Sequence, residues 1–322
     1  MSRPRLLLAL VPFLALSIGA ADVAADGHLD VEYAEVQPLA PKSMLLDVTR
    51  LGQRLVAVGE RGHVVYSDDG REWVQADTVP ARSTLTTVFA IGGRLWAAGH
   101  DAVIITSGDR GKTWSRQFFD PDRLQAVMDI FFTDEQNGVA MGFYGLYLVT
   151  SDGGRTWEES AVDEENEFHL NGMIRFADGR RMIAGEAGYS YRSFDDGETW
   201  ELLDLPYPGS MWGALRTASG CAVFFGLRGH AMESCDFGDT WTELPTGTGA
   251  SLTGAAEHQG VVVFAGNSGT VLTWAGRHFT EHKHSSGVDF AAVLPLGGSL
   301  FLLVGEEGGH LFPETGGDDN DR

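Results

Sequence analysis

Carboxylates and indoles recur along this chain at a fixed interval, and their surroundings say what they do. Asp68, Asp109, Asp152, Asp195 and Asp236 stand 41, 43, 43 and 41 residues apart. Each sits in a box of the form S/T/Y-x-D-x-G-x-T/E-W: residues 66–73 (YSDDGREW), 107–114 (SGDRGKTW), 150–157 (TSDGGRTW), 193–200 (SFDDGETW) and 234–241 (SCDFGDTW). This is the chemistry of a hairpin turn: a short carboxylate accepts hydrogen bonds from the backbone N–H groups of the bend, and glycine supplies a positive φ. Gly70, Gly111, Gly154, Gly197 and Gly238 hold that glycine position. Trp73, Trp114, Trp157, Trp200 and Trp241 then open the next strand, each ring covering the base of its hairpin. These are structural staples rather than catalysts.

Other reactive side chains are few. Asp47 and Asp129 occupy matching places on innermost strands, where other units carry Gly172, Gly213 and Gly254. A hydrogen-bonding role at a crowded centre is expected of them. His278, His282 and His284 cluster late in the chain, but no carboxylate or cysteine completes a metal site and they read as loop histidines. Cys221 and Cys235 are equidistant from Arg228, so they face each other across an antiparallel hairpin. In an oxidising compartment a disulfide is expected, with two reduced core thiols as the alternative. The sequence contains no G-x-S-x-G, H-E-x-x-H or G-x-x-x-x-G-K-S/T motif. No catalytic residue, metal or cofactor is assigned.

The elements that hold these boxes repeat with them. Upstream of each lie two strands, of the types LTTVFAI (85–91) and RLWAAG (94–99), then a third that leads into the box; a fourth follows the Trp. A G-x-x-G bend joins the second and third strands at Gly59–Gly62, Gly142–Gly145, Gly185–Gly188, Gly226–Gly229, Gly266–Gly269 and Gly305–Gly308. The second unit departs, with Gly99-His100-Asp101-Ala102. Two later units lack the Asp: in residues 252–279 Phe279 replaces the Trp, and residues 290–312 stop before a fourth strand. Four-stranded antiparallel units at this period predict an all-β, seven-bladed β-propeller. Residues 29–39 (LDVEYAEVQPL) form an orphan strand, expected to join the last blade as its outer strand and so close the ring. The propeller is placed at residues 28–313, with an acidic, disordered tail at 314–322.

Arg3 and Arg5, an apolar run from Leu6 to Ile18 and then Gly19-Ala20-Ala21 read as a cleaved signal peptide over residues 1–21. The run is shorter than the roughly 20 residues a spanning helix needs. Export to the periplasm or an equivalent compartment is expected, with the mature chain not membrane-embedded. It then carries 21 basic against 45 acidic residues, a formal charge of −24. Such a charge repels nucleic acid and anionic lipid.

The boxes resemble the Asp-box, or BNR, repeat of sialidases and several non-enzymatic propellers. More narrowly, Val58-Gly59-Glu60-Arg61-Gly62-His63-Val64 leading to Trp73 is similar to the photosystem II stability and assembly factor family of seven-bladed propellers. That resemblance implies a protein-binding role beside a membrane, and the chain is expected to be a monomeric, non-enzymatic scaffold that assists assembly or stability of a membrane or envelope complex. The alternative is a sialidase-like glycoside hydrolase or a lectin-like glycan binder. The hydrolase requires an Arg cluster, a Tyr nucleophile and a supporting Glu, and no arrangement singles these out. It also implies six blades.

Function is expected on the face that carries the second-to-third-strand bends and the links between blades. Tyr144, Tyr207 and Trp212 are the aromatic anchor candidates there, joined by Arg61, His100, Arg228 and Glu306. Trp212 opens an inner strand, where packing between blades competes with docking.

Overall fold

Short runs of β-branched and aromatic residues cut by glycine turns are too brief for helices and read as strands buried on both faces. In the computed structural model, which describes residues 31–276 and 278–314, they form seven antiparallel sheets. In the first, Leu45–Leu51, Arg54–Gly59, Val64–Ser67 and Val74–Gln75 lie side by side in chain order, from the innermost strand to the outermost. Blades of the same order occupy residues 85–118, 127–159, 170–202, 211–243 and 252–283. The seventh has three strands, Phe290–Gly297, Leu300–Gly305 and Gly308–Phe312. The chain is a seven-bladed β-propeller.

The core lies between blades. Second strands such as Arg54–Gly59 and Ala222–Gly226 are buried at every residue because a neighbouring sheet covers each face. Val56 and Val58 of blade 1 pack with Leu95 and Ala97 of blade 2, while Trp96, on the other face of blade 2, stacks on Phe132 of blade 3 at 3.8 Å. Box tryptophans fill the same layers: Trp114 packs with Val56 and Val58, and Trp241 against Phe224.

In the four boxes of blades 2 to 5 the hydrogen bonding is uniform. In blade 3 the Thr156 N–H and hydroxyl donate to Asp152 at 2.9 and 2.7 Å, and the Gly154 N–H donates to Thr150 Oγ1. These bonds hold the Asp152 carboxyl down to about 2. The first box corrects the sequence reading. Ser67 there is followed by a turn one residue shorter, so the carboxylate two positions on is Asp69: it accepts from Arg71 and Glu72 N–H at 2.9 Å each and from Ser67 Oγ at 3.0 Å. Asp68 instead makes a two-pronged ion pair with Arg54, at 3.0 and 2.7 Å.

The N-terminal segment also departs from expectation. Residues 31–39 form no strand, and from Ala34 on they run beside blade 1. Ala34 N–H donates to Val79 O at 2.9 Å, Gln75 Nε2 donates to Glu35 O at 2.9 Å, and Arg82 pairs with Glu35 at 3.0 Å. Pro38 and Pro41 have no N–H to give a sheet ladder. The chain then makes a 3₁₀ turn at Ala40–Lys42 that buries Ala40 with Leu302 and Val304. Ring closure therefore comes from blade 7 packing face-on against Leu45, Val48 and Leu55 of blade 1, with Arg50 donating to Pro295 O at 2.8 Å. Leu29 and Asp30 of the expected strand, the expected leader at 1–21 and the expected tail beyond Glu314 lie outside the described residues. Glu314 itself is held by the Ser285 N–H, at 3.2 Å.

Candidate partner-binding face and central cavity

Each of the seven second-to-third-strand bends places a non-glycine residue in the left-handed region: Arg61, Asp101, Tyr144, Ala187, Arg228, Ser268 and Glu307, all with φ between 52° and 61°. That conformation costs roughly 1–2 kcal/mol per residue, and the bend accepts it because the next residue is locked to the link between blades. Gly145 N–H donates to Phe168 O at 3.1 Å and Ala102 N–H to Gln125 O at 2.9 Å. At Gly229 a Cβ would lie 2.2 Å from Thr248 O, which explains glycine there. All seven left-handed residues except Asp101 are exposed, so each bend offers a side chain from a fixed backbone.

Towards the axis, every innermost strand carries a β-bulge near its start, recorded as a register shift between residues such as Leu45 and Asp47. The bulges set two rings of residues around a cavity of about 850 Å³. Leu46, Thr86, Met128, Asn171, Trp212, Thr253 and Ala291 form one, and Asp47, Thr87, Asp129, Gly172, Gly213, Gly254 and Ala292 the other. Several of these side chains fasten a blade to the next: Asn171 Nδ2 donates to Met211 O at 2.9 Å, and Thr86 Oγ1 donates to Val127 O. Asp47 accepts from Val48 N–H at 2.7 Å and, across the blade boundary, from Val88 N–H at 2.8 Å; Asp129 accepts from Met173 N–H at 2.8 Å. Glycine takes this position where the backbones crowd: a Cβ on Gly254 would lie 2.7 Å from Ala292 Cα.

Burial pushes the Asp47 carboxyl up to about 6, against the bonds it accepts from Val88, Val48 and Thr87. Burial pushes Asp129 up to about 7, opposed by the Met173 N–H and reinforced by the charge of Asp47. The cavity mouth carries His100, Phe143, His169, Glu186, Asn267 and Asp289.

Outside the mouth runs an aromatic band over blades 3 to 5. Phe143 stacks on His169 at 4.2 Å, Tyr144 meets the same imidazole edge-on at 4.9 Å, Phe168 stacks on Tyr189 at 3.8 Å, and Tyr207 stacks on His230 at 3.8 Å. Tyr144 is 53% exposed and Trp212 40%. Tyr207 is half-buried against blade 5.

The structure thus gathers Tyr144, Trp212 and His100 round one opening, with Tyr207 and Arg228 farther along the same face. Arg61 lies apart, lining a small pocket with Glu35, His63 and Arg82, and Glu306 faces Asp289, whose N–H it accepts at 3.1 Å. The sequence reading did not single out Asp289, Met44, Met128 or Met173 as cavity residues. Their signal was positional: Met128 is the bulge residue itself, Met44 and Met173 stand two residues from theirs, and Asp289 ends the preceding link.

Cys221 and Cys235 are joined in a disulfide between the second and third strands of blade 5. His278, His282 and His284 do not share one environment. His278 is exposed, His282 lies 3.1 Å from Thr273 Oγ1, and His284 is buried with its Nδ1 2.9 Å from Ser286 Oγ.

A sequence profile described as Photosynthesis system II assembly factor YCF48 matches residues 120–285, more than half of the chain. The chain belongs to that family. Photosystem II assembly lipoprotein Ycf48 of Synechococcus sp. (strain CC9902) is 34% identical over 86 residues, 26% of this chain and 26% of that protein. Photosystem II stability/assembly factor HCF136, chloroplastic, of Arabidopsis thaliana is 30% identical over 106 residues, 30% of this chain and 26% of that protein. The matched stretches thus span about a quarter of each relative. The solved structure of YCF48 bound to D1 peptide superposes with a TM-score of 0.69 at 18% identity, covering 87% of this chain and 95% of that one. At that identity the YCF48 likeness speaks for a shared fold.

Proposed function

We propose that this chain is an exported, non-catalytic scaffold that holds a segment of a membrane or envelope protein on its bend face and assists that partner's assembly or stability. The observation that carries the reading is the aromatic and histidine band beside the open end of the central cavity. Rigid aromatics partly exposed on locked bends are the usual energetic anchors of protein contacts, since little side-chain entropy remains to be lost. A relative whose solved structure holds D1 peptide supports a peptide-like occupant. The disulfide supports export to an oxidising compartment. Among the described residues no helix is long and apolar enough to cross a membrane.

Tyr144 tests the reading, because it is exposed and its removal leaves the interblade layers intact. Tyr144→Ala is expected to leave the melting temperature within about a degree and to reduce co-purification of the envelope partner several-fold, as for a surface anchor. Full recovery of the partner with this variant refutes the assignment of the face.

A further inference from the structure

The central cavity has a one-sided electrostatic character that a packing role leaves unexplained. Asp47 and Asp129 line it together, Glu186 and Asp289 stand at its mouth, and no lysine or arginine is among its lining residues. None of these four carboxylates forms an ion pair with a lysine or arginine among the described residues. The bonds that Asp47 and Asp129 accept come from backbone N–H groups and the Thr87 hydroxyl, which are neutral donors. Half-buried charge of one sign that accepts bonds only from neutral donors is costly and is retained where something supplies the opposite sign.

The remaining walls narrow what that something is. Met44, Leu46, Met128 and Met173 give the cavity an apolar lining suited to a methylene stem, and Trp212 and Phe143 stand at the entrance with π faces that favour a cation. The opening lies on the face that carries Tyr144 and His169. The chain as a whole carries a formal charge of −22, which draws in cationic partners.

From this geometry we infer that the cavity receives a basic side chain, arginine or lysine, projecting from the partner segment, with Asp47 and Asp129 as its counter-charges. The inference rests on the bend face being the docking face and names the chemistry of the residue that enters from it. Binding of the cation deprotonates the acid pair, so affinity rises with pH. The other titratable groups facing the cavity are His100, His169, Glu186 and Asp289.

The test uses the full chain with ¹³C-methyl-labelled methionine, since Met44, Met128 and Met173 report from the cavity wall. The probe is the blocked peptide acetyl-Gly-Gly-Arg-Gly-Gly-amide, with its citrulline counterpart as the neutral control. Saturable shifts of these methyls are expected with the arginine peptide alone. Affinity is expected to weaken at least tenfold in D47N/D129N, and likewise between pH 8 and pH 5 in the unmodified protein. Equal shifts with citrulline, no shifts at all, or unchanged binding in D47N/D129N overturn the inference. Should the double variant melt early, the pH series on the unmodified protein decides. Failure here with Tyr144-dependent partner capture intact removes the cavity assignment alone; the opposite result removes the docking face and leaves a cation site.

Discussion

Replacing Asp47 and Asp129 together by asparagine makes the ring less sensitive to pH and more stable in alkali. With folded-state values of about 6 and about 7 against an ordinary 3.8, both carboxyls hold their protons more tightly in the folded than in the unfolded chain. Their contribution to stability is therefore complete below pH 3.8 and is lost as pH rises through 6 and 7. Each unit of pH between the two values is worth about 1.4 kcal/mol per carboxyl. From pH 5 to pH 8 the pair would thus lose about 4 kcal/mol, and water in the open cavity screens this to about 2–3 kcal/mol. Burial holds His63 below its ordinary range, which acts in the opposite sense but is common to both proteins and cancels in the comparison. Asparagine keeps an oxygen for the N–H groups of Val88 and Met173. Urea unfolding of both proteins at pH 5 and pH 8 is the assay. The natural chain is expected to lose about 2–3 kcal/mol more than D47N/D129N over that range, and the variant to be the more stable at pH 8. Parallel pH profiles for the two proteins would refute the claim that these carboxylates are partly desolvated in the cavity without a counter-charge.

Three further changes probe the ring. Gly254→Ala forces a methyl against Ala292 Cα at 2.7 Å, where two innermost strands meet, and is expected to cost about 1–3 kcal/mol in chemical denaturation. C221S/C235S opens the covalent loop spanning a sequence separation of 14 in blade 5, with an expected loss of about 2–3 kcal/mol by the same measurement. Asp69→Ala is expected to lower the melting temperature by unmaking the first turn, and Asp68→Asn to leave that turn's amides protected from hydrogen exchange. Exchange protection lost in Asp68→Asn and kept in Asp69→Ala would reverse the correction to the first box.

The repeat made the blades readable because each box contains its own reason for the turn: a carboxylate to collect N–H groups, a glycine for the left-handed backbone, an indole to cover the bend. In blade 1 the alignment fell on Asp68 because Ser67-Asp68-Asp69-Gly70 offers two adjacent carboxylates, and only the shortened turn tells which one caps. Residues 29–39 read as a strand because the last unit is one strand short and they stand before the first unit. Ala34, Glu35 and Gln37 instead bond along blade 1, and Pro38 stands where a ladder donor would be needed. The cavity was half legible. Asp47 and Asp129 announced themselves against glycines at matching positions, whereas the methionines and Asp289 converge only once the bulges turn them inward. Tyr207 drew notice as a link aromatic, yet it is packed on His230 and contributes more to the wall than to the free surface.

Which face grips the partner is open to direct measurement with a photo-crosslinking amino acid placed at Tyr144 on the bend face or at Phe194 on the Asp-box face, both more than half exposed. In the producing cell, position 144 is expected to yield an adduct with an envelope or membrane protein, and position 194 none. Adducts from 194 alone, or equally from both, would contradict a scaffold that works through its bends.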